Sequence, residues 1–158
     1  MDQIVDIAAF KVTNEPATDL VTYSLGSCIG VTLWDPEALV GGMLHYMLPE
    51  ASLSPEKAKA NPAMFGDTGI PALFRAAYAL GAEKKRLIVK VSGGSNLLDD
   101  KGTFNIGKRN YIMLRKLFWK NGILIDAEQV GGSISRTLRL TVQTGRVTIK
   151  SRSEEIEL

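Results

Sequence analysis

Hydrophobic and polar positions switch along the chain between a period of two and one of about 3.6 residues, which predicts alternating strands and helices. Residues 20–25 read as an early strand closed by Gly26-Ser27, and residues 29–34, rich in β-branched and apolar side chains, as the next. Asp35-Pro36-Glu37-Ala38 supplies turn chemistry, and residues 40–48 make a further strand ended by Pro49. Residues 50–66 are more polar and are broken by Ser54-Pro55 and Asn61-Pro62, so they read as a surface excursion with one short helical turn after Ser54. From 67 or 68 to 80, Ile70, Leu73, Phe74 and Ala77 fall on one helical face, with Pro71 near the first turn and Gly81 at the stop. A short strand over 86–91 leads into the loop Ser92-Gly93-Gly94-Ser95-Asn96. A second helix over 105–121 carries Ile106, Met113, Leu114, Leu117 and Phe118 and ends at Gly122. Trp119 points away from that stripe, as a partner contact or a partly buried side chain. Residues 123–128 form another strand, and Gly131-Gly132 precedes a hairpin of 137–143 and 146–150 about Thr144-Gly145. Glu154-Glu155-Ile156-Glu157 reads as a solvated tail. The order predicts an α/β fold over residues 1–158 as one domain: a mixed sheet layered with helices.

Composition narrows the function classes. At 158 residues, 45% hydrophobic and 23% charged, the chain resembles a soluble globular domain with a real core. Nineteen basic against 17 acidic residues give a net charge of +2, scattered rather than gathered in a stripe, which argues against nucleic-acid binding by bulk charge. No apolar run approaches the roughly 18–20 residues of a membrane span. Acids near the N-terminus do not fit a signal peptide, so a reducing cytoplasm is the expected location. One cysteine and one histidine exclude an internal disulfide and a multi-cysteine zinc site, and no metal is expected.

Those two residues are also the candidate chemistry. A hairpin centred on Pro36-Glu37 sets Cys28 directly opposite His45, with Cβ atoms about 4.5–5.5 Å apart on one face. An imidazole beside a thiol can take its proton and generate the nucleophile of acyl-transfer enzymes. Backbone N–H groups of the Gly26-Ser27 turn are candidates to hold an oxyanion. A catalytic histidine needs a third group to fix its ring; no carboxylate lies nearby in sequence, and Thr22 and Ser24 are the nearest hydroxyls. A lone cysteine beside a strand also fits a small buried hydrophobe, and a lone histidine a satisfied polar group; the pattern leaves both readings open. The Gly93-Gly94 loop lacks the lysine of a Walker loop and fits a pocket lining better than a phosphate cradle. Lys84-Lys85-Arg86 reads as a solvated lead-in to a strand.

The segments Thr22-Tyr23-Ser24-Leu25-Gly26-Ser27-Cys28-Ile29-Gly30 and Gly42-Met43-Leu44-His45-Tyr46-Met47-Leu48-Pro49 resemble the signature of the CheD family, the chemoreceptor glutamine deamidases. The resemblance continues in order through Asp67-Thr68, Ser92-Gly93-Gly94, Asn105-Ile106-Gly107-Lys108-Arg109-Asn110, Gly131-Gly132, Arg136 and Thr144-Gly145. It implies a cysteine hydrolase of three-layer α/β/α type without a cofactor, with Cys28 as nucleophile, His45 as base and Thr22 orienting the histidine, Ser24 being the fallback. Gly26, Ser27, Gly93 and Gly94 are then the substrate-binding or oxyanion candidates. The implied substrate is a glutamine on the cytoplasmic helical bundle of a methyl-accepting chemotaxis receptor, with glutamyl methyl esters as a further substrate in some members. The implied partner is the CheC phosphatase. Gln129-Val130 departs from the family, which often carries an aspartate before the paired glycines. Competing readings are a CheC- or receptor-binding protein with minor catalysis, and an unrelated thiol hydrolase of small amides.

Overall fold

The computed structural model describes residues 1–96 and 105–158. Ten strands form two five-stranded sheets. The first sheet contains β1 (Asp2–Ile4), β3 (Asp19–Leu25), β8 (Arg136–Thr141), β9 (Arg146–Ser151) and β10 (Glu154–Glu157), in that spatial order. The second runs β2 (Ala9–Thr13), β5 (Val40–Tyr46), β4 (Ile29–Asp35), β6 (Ile88–Gly93), β7 (Ala127–Val130). Both are mixed: β1 pairs with β3 and β6 with β7 in parallel, and the other pairings are antiparallel. The helices are the short α1 (Pro55–Ala60) and the longer α2 (Gly66–Ala79) and α3 (Ile106–Asn121).

Alternation along the central strands sorts side chains into two cores. Ile29, Val31 and Leu33 of β4 and Val40, Leu44 and Tyr46 of β5 face the helices, where Leu73 and Phe74 of α2 and Leu114 and Phe118 of α3 complete the layer. Phe74 and Phe118 meet edge to face at 6.0 Å. The intervening Met43 faces the first sheet, among Leu20, Leu25, Leu138, Leu140 and Ile149. The three layers of this α/β unit are thus helices, sheet, sheet. A second sheet covers the face where a second helical layer was expected, because both long amphipathic helices pack on the same side and the alternating β3, β8 and β9 cover the other.

Several elements differ from the sequence pattern for physical reasons. The terminal Glu154–Glu157 segment, expected as a tail, is an edge strand paired with β9 although all four residues are exposed; backbone pairing holds it, joined by an ion pair from Arg146 to Glu157. Strand β7 begins four residues later than expected, since Ile123 and Ile125 pack into the helix-side core before sheet pairing starts. Helix α2 starts at Gly66, which puts Pro71 in its second turn. Arg86 is no mere solvated lead-in: it binds Asp35, which is wholly buried at the end of β4. Burial raises the Asp35 pKa, but Arg86 and the N–H groups of Ala38, Glu83 and Glu37 outweigh it and hold the carboxyl at about 2.

That carboxylate also sets the β4–β5 register. Its Oδ1 accepts from the Glu37 and Ala38 N–H groups, Leu39 turns left-handed at φ 51°, and Asp35 pairs with Val40. The connection therefore takes four residues, not two, and His45 pairs with Gly30 rather than with Cys28. A slip of two residues preserves the face, so the thiol and the imidazole still belong to the same side of the second sheet.

Candidate active site

Cys28 sits in the turn between β3 and β4, in the core between the sheets, with 8% of its surface exposed. His45 lies on β5 with 1% exposed, and its strand position directs it toward the first sheet. Thr22, fully buried on β3, meets it from that sheet: Thr22 Oγ1 and His45 Nδ1 are 2.7 Å apart. A bulge follows Thr22 in the β3–β8 ladder. Ser24 takes φ 59° and is exposed, which lets Leu25 rather than Ser24 turn inward. The hydroxyl on His45 is therefore that of Thr22, and Ser24 is not brought to the ring.

The hydrogen bonds determine the histidine tautomer. Thr22 Oγ1 donates to Val5 O at 2.6 Å, and Val5 is itself fixed by its N–H bond to Val21 O at 2.7 Å. With its proton committed to Val5, the hydroxyl can only accept from His45, so Nδ1 carries the ring hydrogen. Nε2 is left as a bare lone pair, buried and without a hydrogen-bond partner among the described residues. It is a proton acceptor held ready. Nothing in the sequence signals Val5, because a backbone carbonyl has no side-chain signature.

Burial keeps both groups neutral at rest. Desolvation pushes the Cys28 thiol up to about 11, and its own backbone opposes the rise only in part. Desolvation pulls His45 down to about 4. This site therefore holds a thiol and an imidazole, not a preformed ion pair. A consequence follows for acid stability. The unfolded histidine, with a pKa near 6.5, binds a proton that the folded one refuses, so stability is full above that value and falls as pH drops toward 4. Between pH 7 and 5.5 the loss should be about 1 kcal/mol in urea unfolding, and His45→Gln should remove most of that slope. With one histidine in the chain, no second imidazole titrates in this window.

The glycine loop braces the cysteine turn from beneath. Gly94 N–H donates to Cys28 O and Ser95 N–H to Gly26 O, both at 2.8 Å. The Gly94 N–H is thus engaged by the Cys28 backbone. Gly93 has φ 106°, and a Cβ there would stand 2.2 Å from Cys28 O; its function is close approach. The N–H groups of the turn at Ser27 and Cys28 remain the oxyanion candidates. Behind the loop, Arg136 is 3% exposed and donates to Gly93 O, Ser95 Oγ, Gly131 O and Gln129 Oε1. Gln129 serves there as a neutral acceptor for the buried guanidinium. Asn110, buried on α3, donates to Ser27 O and Met47 O. It breaks the helix's apolar stripe at the spacing of Gly107, Leu114 and Phe118, a signal legible in the sequence but not used.

Comparison with known proteins bears on this arrangement. A family model described as CheD chemotactic sensory transduction matches residues 47–151. A protein of Syntrophus aciditrophicus named probable chemoreceptor glutamine deamidase CheD 1 is 55% identical over 95% of this chain and 94% of its own length. The chain belongs to the CheD family. A probable chemoreceptor glutamine deamidase CheD of Solibacter usitatus is 47% identical over the whole chain and 94% of its own length. A relative of the same name from Haloarcula marismortui is 38% identical over 96% of the chain and 86% of its own length. The family model begins after Thr22, Cys28 and His45, whereas the alignments with these CheD relatives extend over nearly the whole chain. Among the described residues, no helix of this CheD-family chain is long and apolar enough to cross a membrane.

Proposed function

We propose that this CheD-family protein hydrolyses glutamine side chains of methyl-accepting chemotaxis receptors to glutamate, with Cys28 as nucleophile, His45 as base and Thr22 orienting the ring. The observation that carries this reading is the chain from His45 Nδ1 through Thr22 Oγ1 to Val5 O, which leaves Nε2 unprotonated on the face that Cys28 shares. A histidine buried only for packing needs no such tautomer control. The names of the relatives supply the substrate class.

Because both groups rest neutral, proton transfer accompanies attack. The Cys28 S–H proton passes to His45 Nε2 as sulfur bonds to the γ-carboxamide carbon. The tetrahedral oxyanion is held by N–H donors of the Ser27-Cys28 turn. Its collapse breaks the C–N bond, and ammonia leaves with the proton from His45. A water then gives its proton to His45 and attacks the thioester; release of glutamate returns the proton to sulfur. The balance is glutamine plus water to glutamate plus ammonia, and no cofactor enters it. The same thioester route accepts a glutamyl methyl ester, with methanol as the leaving group.

A substrate on the cytoplasmic part of a receptor places the protein in the cytoplasm, and a CheC-type phosphatase is its regulatory partner in this reading. The test is mass spectrometry of a chemoreceptor cytoplasmic fragment after incubation with the wild-type chain. The amide-to-acid mass change should appear on specific glutamines. A fragment that binds the protein and stays unchanged would overturn the reading in favour of a receptor-binding role.

A further inference from the structure

One side chain holds the peptide that precedes the nucleophile. Asn110 is wholly buried, and its Nδ2 donates to Ser27 O at 3.0 Å and to Met47 O at 2.8 Å. Its own backbone carbonyl accepts from Tyr46 Oη at 2.6 Å. Ile29 pairs with Tyr46, so Met47 is the residue alongside Cys28 as the ladder ends. A single amide therefore ties the cysteine turn to the end of the histidine strand. Asn110 Oδ1 is buried with no hydrogen-bond partner among the described residues. A role in packing does not require an orphaned acceptor, whereas the two donated hydrogen bonds require the amide.

The geometry bears on the reaction. A trans peptide is planar, with its C=O and N–H pointing in opposite directions, and the described residues include no cis peptide. Fixing Ser27 O toward α3 turns the Cys28 N–H away from the helix. That N–H belongs to the residue that carries the sulfur, on the side of the peptide opposite Ser27 O. In acyl transfer, the oxyanion develops on the carbon bonded to that sulfur, within reach of the same N–H. The neighbouring Gly94 N–H is engaged by Cys28 O and does not compete for the task.

We infer that Asn110 is a positioning residue that orients the Cys28 N–H as oxyanion donor by holding Ser27 O. The inference rests on the reading of Cys28 as nucleophile, and it is tested without the receptor. Iodoacetamide alkylates a thiol by direct displacement and forms no oxyanion; p-nitrophenyl acetate acylates it through a tetrahedral oxyanion. Asn110→Asp keeps the shape and leaves at most one O–H donor, so Ser27 O and Met47 O can no longer both be held.

The acylation rate constant of Cys28 in Asn110→Asp should fall about 100-fold, while alkylation stays within about threefold of wild type. Tyr46→Phe, which frees the helix carbonyl and leaves the amide in place, should lower the ratio of acylation to alkylation about fivefold. It serves as the measurement if Asn110→Asp does not fold. Equal losses with both reagents, or no loss with either, would overturn the proposal. A wild-type chain that acylates but leaves receptor glutamines intact overturns the deamidase reading and leaves the Asn110 result standing. A wild-type chain that does not acylate overturns both.

Discussion

A chain carrying Cys28→Ala is expected to convert no receptor glutamine above background, a fall of at least about 10⁴-fold in turnover measured by mass spectrometry. In the proposed reaction the thiol is the group that bonds to the substrate carbon, and no other cysteine exists to replace it. The fold should survive, because alanine leaves only a small void in the core between the sheets and the backbone contacts of residue 28 go to Gly94 rather than through sulfur. His45→Ala should fall nearly as far, since the resting thiol is neutral and needs an acceptor for its proton. Thr22→Val should cost about 100-fold, by releasing the tautomer without removing the base. Ser24→Ala, at an exposed bulge residue, should change little. A Cys28→Ala chain that still deamidates would end the cysteine mechanism; a Ser24→Ala chain as impaired as Thr22→Val would end the role given to Thr22.

Gly93→Ala is the substitution with the largest expected effect on the fold. Two effects add at this position: the left-handed φ of 106° and a Cβ position 2.2 Å from Cys28 O. Neither the carbonyl nor Gly93 can move without parting the paired β4 and β6, where Ile29 lies opposite Gly93. Gly81 offers the matching control, with φ 104° and open space where its Cβ would go. Gly81→Ala should cost about 1 kcal/mol from strain, whereas Gly93→Ala should cost at least about 3 kcal/mol and lower Tm by about 10 °C. Calorimetry of the two variants separates contact from strain, and equal shifts would show that the contact relaxes at no cost. Whatever folded Gly93→Ala remains should also turn over slowly, because the displaced carbonyl belongs to the nucleophile.

The part of the fold legible in the sequence is the part whose side chains carry the signal. β3, β4 and β5 alternate or run continuously apolar, and α2 and α3 show their buried stripes, so their positions were read to within a residue or two. β1 and β10 have no buried residue and exist through backbone pairing with β3 and β9. β2 buries only Thr13 fully and is held as an edge strand against β5. No local pattern reports which strands share a sheet, so the second sheet took the place of an expected helical layer.

The candidate site divides the same way. Cys28 and His45 were legible as the chain's only residues of their kinds, and their shared face survived a register error because the slip was even. The error came from turn length. Asp35 was read as ordinary turn chemistry, whereas its carboxylate organises a longer connection and binds Arg86. Thr22 came from the family resemblance; its partner could not be deduced from spacing because it stands on the other sheet. Gly93 and Gly94 read as a pocket lining and as substrate-binding or oxyanion candidates; the structure shows them letting one backbone lie against another.

The sheet that carries Thr22 is sewn from both ends of the chain. Thr22 pairs with Leu138, and the strand that supplies Val5's neighbourhood is laid down first. During synthesis, Cys28 and His45 leave the ribosome about 90 to 110 residues before β8 can lock β3 in place. Until then the imidazole has no fixed tautomer. In the proposed mechanism a nascent chain thus carries its thiol without an oriented base until β8 arrives.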